Sequence, residues 1–112
     1  MPPYPFILRS VAAEQREQWD QFVAQHPAGH LLQSWGWGEV KVCTGWYPLR
    51  FALWDTHQQR IVATAQVLCR TVTQVPLQLG HFAYSPKGPV LDWSQLELAD
   101  ALFPQLNRLL PV

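Results

Sequence analysis

The chain is short of charge. Only 14% of its 112 residues are Asp, Glu, Lys or Arg, against about 25% in an average soluble protein, while 48% are hydrophobic. Eight basic residues balance eight acidic ones, so the bulk positive field that holds nucleic acid non-specifically is missing. That hydrophobic content also argues against disorder. Cysteine is scarce. Cys43 and Cys69 lie far apart, with no Cys-x-x-Cys spacing, so neither a zinc site nor a redox pair is expected and both thiols read as buried, small apolar side chains. The histidines form no HExxH motif, and no metal is expected. No run reaches the ~18 to 20 apolar residues of a membrane span, and the opening MPPYPFILRS carries neither the basic region nor the cleavage site of a signal peptide. The expectation is a soluble, cytoplasmic protein without internal repeats or low-complexity tracts.

What the chain does have is tryptophan and glycine, concentrated in one place. Residues 29–46, GHLLQSWGWGEVKVCTGW, hold three of the six tryptophans, four of the six glycines and one lysine, Lys41. Such a segment is poor helix-forming material by propensity. Tertiary packing or a ligand must compensate, so it either anchors the core or lines a site. The length allows a single domain over residues 1–112, and the shortage of polar surface points to a further segment or partner chain covering part of it.

Periodicity outlines the elements. Residues 6–11 alternate loosely behind Pro5, as a short strand near a sheet edge does. Over 14–25 the period changes: Trp19, Phe22 and Val23 form an apolar stripe among charged neighbours, an amphipathic helix stopped by His26, Pro27 and Gly29. A second helix is expected over 34–43, with Ser34 as N-cap and Gly45 as terminator. The pattern YPLRFALW at 47–54 alternates as a half-buried strand, a polar turn follows, and 60–72 is a longer strand making an antiparallel hairpin with it. After a connection at 73–78, residues 79–84 give a third strand of that sheet, which runs into the turn SPKGP at 85–89. Ser94 with Glu97 fits a capping box for a last helix, with Asp92 as the other candidate cap. Its expected stripe is Leu96, Ala99, Leu102, Phe103 and Leu106, kinked or interrupted at Pro104. The fold class is α+β in the order β-α-α-β-β-β-α. A helix returning across a sheet normally feeds another strand, so the chain is expected to be the front part of a larger protein.

The segments HPAGHLLQSWGWGEVK, GWYPLRFAL, IVATAQVLCR and AYSPKGPVLDW, in that order, resemble the opening of the FemAB family, the FemX-like peptidoglycan-bridge aminoacyltransferases. The resemblance covers nearly the whole chain. It implies a GNAT-like mixed sheet with helices, of which this chain would be the N-terminal portion of the first domain. It also implies transfer of an amino acid from aminoacyl-tRNA to the stem peptide of a peptidoglycan precursor, either a UDP-linked muropeptide or lipid II. No cofactor is implied. The loop at 85–89 lacks the Q/R-x-x-G-x-G/A pattern that coenzyme A needs, and its prolines remove N–H donors, which disfavours an acetyl-CoA enzyme.

The substrate-binding candidates are Lys41, Trp37, Lys87 and Tyr84. Lys41 matches the family lysine near the end of the second helix, implied to contact the anionic part of the precursor; a solvated lysine at a helix C-terminus is the plain alternative. One of Trp35 and Trp37 is expected in the core and the other at a rim, where it can stack on a sugar or uracil. Lys87 follows a strand and precedes a helix, where an anion can be held, although a rigid turn explains SPKGP as well. Glu39, Asp92, His81 and Tyr84 are the acid-base candidates, none of them paired, and no catalytic residue is named. The competing reading, from a different class, is a noncatalytic α+β interaction module that pairs its open sheet edge with a partner chain.

Overall fold

The computed structural model describes residues 5–71 and 81–111. Strand β1 (Phe6–Ser10) is followed by a 3-10 turn (Ala13–Gln15) that runs into helix α1 (Arg16–Gln25), and a second 3-10 turn (Leu31–Gln33) leads into helix α2 (Trp35–Val42). Strands β2 (Tyr47–Asp55), β3 (Arg60–Thr71) and β4 (His81–Tyr84) come next, and helix α3 (Leu96–Leu109) last. The expected order is present. The connection expected at 73–78 lies outside the described residues, as do Val72, Leu79 and Gly80.

The strands form one four-stranded sheet in the order β1-β2-β3-β4, with every pairing antiparallel among the described residues. The register shift from Leu53↔Ala63 to Trp54↔Ile61 leaves Val62 as the extra residue of a bulge in β3, which strengthens the local twist. Layers of helix cover both faces. On one, Leu98, Ala101, Leu102 and Leu106 of α3 pack on Leu8, Phe51, Leu53, Ala63, Ala65, Val67 and Cys69. On the other, Trp19 and Val23 of α1 gather with Trp35 and Val90, with the Trp19 and Trp35 rings edge to face at 6.1 Å. This double cover corrects the half-buried reading of 47–54. Phe51, Ala52 and Leu53 are all buried, as is the continuous run from Ala63 to Cys69, because each face has its own helix layer.

Three further expectations are corrected. Cys43, just past α2, is exposed, whereas Cys69 is buried. The capping box at Ser94 does not form: α3 begins at Leu96 with Gln95 as its uncapped N-cap residue. Asp92 instead accepts from the Ser94 N–H (3.0 Å), the Ser94 hydroxyl (2.6 Å) and the Gln95 amide (3.2 Å), and the Ser94 hydroxyl bonds hold its carboxyl below the ordinary 3.8. Finally, α3 is rotated from the expected phase. Leu96 and Phe103 are exposed while Leu98 and Ala101 are buried, and the helix runs unbroken past Pro104 to Leu109. Pro104 and Asp100 both lie on the exposed side, where the Asp100 carbonyl deprived of its helical donor is open to water.

The rotation of α3 has an identifiable cause in Gln105. Its Oε1 accepts from the Leu8 N–H at 2.9 Å and its Nε2 donates to the Phe6 carbonyl at 3.2 Å. A side-chain amide thus takes the place of a peptide of a neighbouring strand along the outer edge of β1, in the pattern of a parallel partner. A polar residue that reads as surface is turned inward.

Candidate functional site

The Trp/Gly-rich stretch builds two distinct structures, and the first is internal. Beyond Tyr84 the ladder between β3 and β4 should place Pro86 opposite Gln66, since Tyr84 pairs with Leu68. Proline has no N–H to give. The chain swings outward there and rejoins at Val90, which exchanges two backbone bonds with Thr64. Gln33 fills the opening: its Oε1 accepts from the Gln66 N–H at 2.9 Å and its Nε2 donates to the Gln66 carbonyl at 3.3 Å. The same Nε2 donates to the Pro86 carbonyl (2.7 Å) and the Ser85 hydroxyl (3.2 Å). A fully buried side chain thereby completes the sheet.

Gln66 extends that network to α2. Its Nε2 donates to the Ser34 carbonyl at 2.8 Å, and its Oε1 accepts from Arg50 Nε at 2.8 Å. The Arg50 guanidinium lies 3.7 Å from the centroid of the Trp35 ring and donates to the Trp35 carbonyl (2.8 Å) and to Glu39 (3.2 Å). Burial pulls the Arg50 pKa down from its ordinary value, opposed by Glu39. A Cβ on Gly38 would stand 2.5 Å from both Arg50 Nη2 and Gln66 Oε1, so only glycine lets α2 approach this closely. Ser34 caps α2 through the Trp37 N–H at 3.3 Å, Trp19 Nε1 donates to the Gln33 carbonyl at 2.8 Å, and Asp20 accepts from the Trp35 N–H at 2.9 Å. The Gln33, Gln66 and Arg50 side chains all find partners inside the protein, whereas the buried Thr64 hydroxyl on β3 has none among the described residues. The network holds α1, α2 and the 85–89 turn on the sheet and offers nothing to a ligand.

The second structure faces outward. Helix α2 closes with the Gly45 N–H on the Val42 carbonyl (3.2 Å) and the Trp46 N–H on the Lys41 carbonyl (3.2 Å), with Gly45 at φ 91°. This is a Schellman closure, which needs the left-handed residue and brings the position after it against the last turn. The ring of Trp46 is therefore placed beside Lys41, whose Nζ lies 5.9 Å from its centroid. From the sheet side Arg70 of β3 brings its Cζ to 5.4 Å, and Tyr84 and Phe82 of β4 stand edge to face at 5.1 and 6.2 Å. Among the described residues the ion pairs are Arg16 with Asp20 and Arg50 with Glu39; Lys41 and Arg70 have no carboxylate partner.

The four binding candidates thus divide. Lys41 and Tyr84 come together on Trp46, a residue that the sequence reading had not singled out and that the terminator Gly45 preceding it could have indicated. Trp37 is half-buried on α2, as the rim member expected beside the buried Trp35, but is not part of the Trp46 cluster. Lys87 is exposed in the 85–89 turn at φ 55°, also apart from that cluster. Of the acid-base candidates, Glu39 is engaged by Arg50 and Asp92 by its own turn, while the His81 side chain lies outside those described. Among the described residues no group of three or more His, Cys, Asp or Glu side chains is arranged to hold a metal ion, and no helix is long and apolar enough to cross a membrane.

Comparison with known proteins gives a consistent set of relatives. The model of the FemAB family matches residues 15–111. A lipid II:glycine glycyltransferase of Staphylococcus aureus (strain bovine RF122 / ET3-1) is 38% identical over 86 residues, covering 77% of this chain and 19% of that protein. The protein of the same name from Staphylococcus saprophyticus is 41% identical over 75 residues, covering 67% of this chain and 17% of its own. The crystal structure of FemX superimposes with a TM-score of 0.76 at 30% identity, over 91% of this chain and 23% of that one. The chain spans about a fifth of the length of these relatives.

Proposed function

The chain belongs to the FemAB family, and from that premise we propose that it carries part of the acceptor-binding surface of a peptidoglycan-bridge aminoacyltransferase. The reaction is transfer of an amino acid from aminoacyl-tRNA to the stem peptide of a peptidoglycan precursor, on the cytoplasmic side where charged tRNA is available. The relatives are named for lipid II and glycine. For this chain the acceptor is lipid II or its soluble UDP-linked counterpart, and each carries a diphosphate next to the first sugar.

The observation that carries the reading is Lys41. It sits at the end of α2 with its ammonium over Trp46 and without a carboxylate partner among the described residues. A compact ammonium with three donors suits phosphate oxygens, and the ring orients it without neutralising it. Tyr84 shares the Trp46 ring with Lys41, and Trp37 and Lys87, which stand apart from that cluster, are the further binding candidates for a sugar, a base or a second anionic group. Calorimetric titration of the chain with UDP-MurNAc-pentapeptide tests the reading. Lys41→Ala should weaken binding about tenfold, the size of a charge-assisted contact, and leave the melting temperature almost unchanged. A large loss of stability with unaltered affinity would remove Lys41 from the site.

A partner chain completing the fold is the second reading, favoured by Trp93, Leu96 and Phe103, which are 52%, 72% and 42% exposed at and just before α3. Analytical ultracentrifugation separates the two, since a stable dimer would support the module and a monomer that binds the muropeptide would support the transferase.

A further inference from the structure

Helix α3 carries more apolar surface than the sheet covers. Leu98, Ala101, Leu102 and Leu106 pack into the core, yet Leu96 and Phe103 are 72% and 42% exposed and Ala99 is half-buried between them. These three residues follow the i, i+3, i+7 spacing of one helical stripe. Trp93, itself exposed, widens the stripe by lying against Phe103 at 6.0 Å between ring centroids. Leu110, half-buried just past the last turn, prolongs it.

A charged stripe runs beside the apolar one. Glu97, Asp100, Pro104 and Arg108 recur at i, i+3, i+7 and i+11, and all four are exposed. Glu97 lies in the first turn and Arg108 in the last. Among the described residues the ion pairs are Arg16 with Asp20 and Arg50 with Glu39, so neither Glu97 nor Arg108 is paired within the chain. Acid first and base last suits the helix dipole, but the dipole gives no reason for an apolar stripe alongside.

The two stripes together are complementary to themselves. Let a second copy of α3 lie antiparallel on the first, related by a two-fold axis beside Phe103. The Phe103 rings then meet across the axis, and Leu96 faces Leu110, each seven positions from Phe103. Ala99 faces Asn107, its small side chain leaving room for the amide. The axis maps each flank of the helix onto the same flank of the other copy, so Glu97 comes opposite Arg108 twice. Parallel packing would set Glu97 against Glu97 and Arg108 against Arg108, and charge therefore selects the antiparallel pair.

We propose that the outer stripe of α3 is a contact between two copies of this chain, packed antiparallel about Phe103 with Glu97 of each against Arg108 of the other. One 14-residue helix from each copy makes a small interface, and a reversible dimer with a dissociation constant of about 10 to 100 μM is expected. Helix α3 and the layer of α1 and α2 cover opposite faces of the sheet, so the contact leaves Lys41 free and the dimer can also bind the muropeptide.

Sedimentation velocity of the 112-residue chain over a concentration series should show the mass rising from 12.9 kDa towards twice that value. Phe103→Ser should keep the parent circular dichroism and stay monomeric. Glu97→Arg and Arg108→Glu should each weaken self-association about tenfold, since the two-fold replaces two exposed attractive pairs by two repulsive ones. An equimolar mixture of these two variants should recover dimer, because opposite charges face each other again in the mixed pair. Loss of helix stability could not produce that recovery. A parent chain that is monomeric at every concentration would overturn the proposal and leave the stripe to another segment or protein. Self-association unaffected by Phe103→Ser, or a mixture that associates no better than either variant alone, would overturn it as well.

Discussion

Cys43 and Cys69 differ in ways that their own sequence neighbourhoods do not show. Cys69 is fully enclosed on the sheet face against α3, and burial pushes its thiol pKa up, which suppresses the reactive thiolate. Cys43 follows the last turn of α2 and is exposed. Brief iodoacetamide treatment of the native chain should therefore alkylate Cys43 alone, with Cys69 modified only after denaturation, as peptide mass spectrometry would read. Equal labelling would mean that α3 does not pack on β3 as described. A lone cysteine carries no local signal of burial, so both thiols read alike from sequence. Gln33, Gln66 and Arg50 were illegible for a related reason: polar side chains read as surface, and the partners that make burial tolerable lie 11 to 53 residues away. Trp35 was legible as core because burying a large aromatic is favourable whatever its exact neighbours.

Among the elements, the sharpest dependence is of β3 on Gln33. The amide is the only kind of side chain that presents a donor and an acceptor in peptide geometry, and here both are used on Gln66. Gln33→Glu keeps the shape and replaces the donor with a second acceptor facing the Gln66 and Pro86 carbonyls and the Ser85 hydroxyl. The buried carboxyl should take a pKa well above its unfolded value. With the folded pKa raised, the variant is least impaired below the ordinary glutamate range and loses stability as pH rises through the folded value. We expect a loss of roughly 3 kcal/mol or more at neutral pH, from an unpaired buried charge or the cost of protonating it, with partial recovery of melting temperature near pH 4. A pH-independent melting curve would show that Gln33 is not enclosed. The existence of each strand and α-helix was legible from the sequence pattern, but the 3-10 turn at Leu31–Gln33 and the phase of α3 were not. Two overlapping apolar stripes were available in LELADALFPQLNRL, and Gln105, by bonding the edge of β1, selects the one that includes Leu98 and Ala101.

For the whole molecule, the same glutamine joins the two ends of the chain. Its contacts with Leu8 and Phe6 span 97 and 99 residues, and they occupy the outer edge of the first strand. Gln105→Ala should lower stability by about 1 to 2 kcal/mol through the lost bonds and accelerate hydrogen exchange at the Leu8 amide. Retained protection there would show that some other group closes the edge. At this scale the sequence was most informative, because spaced motifs in a fixed order identify a family without locating a single contact. The same motifs pointed to Lys41 and left Arg70 unmarked, since its place beside Trp46 depends on strand register.

The sheet consequently has one sealed end and one available end. On the β1 side its backbone is answered by a side chain of α3, whereas β4 is bonded on only one side among the described residues. Among the described residues, the edge without a partner is that of β4. Any strand added, from this polypeptide or another, aligns along His81–Tyr84, next to the rings of Phe82 and Tyr84.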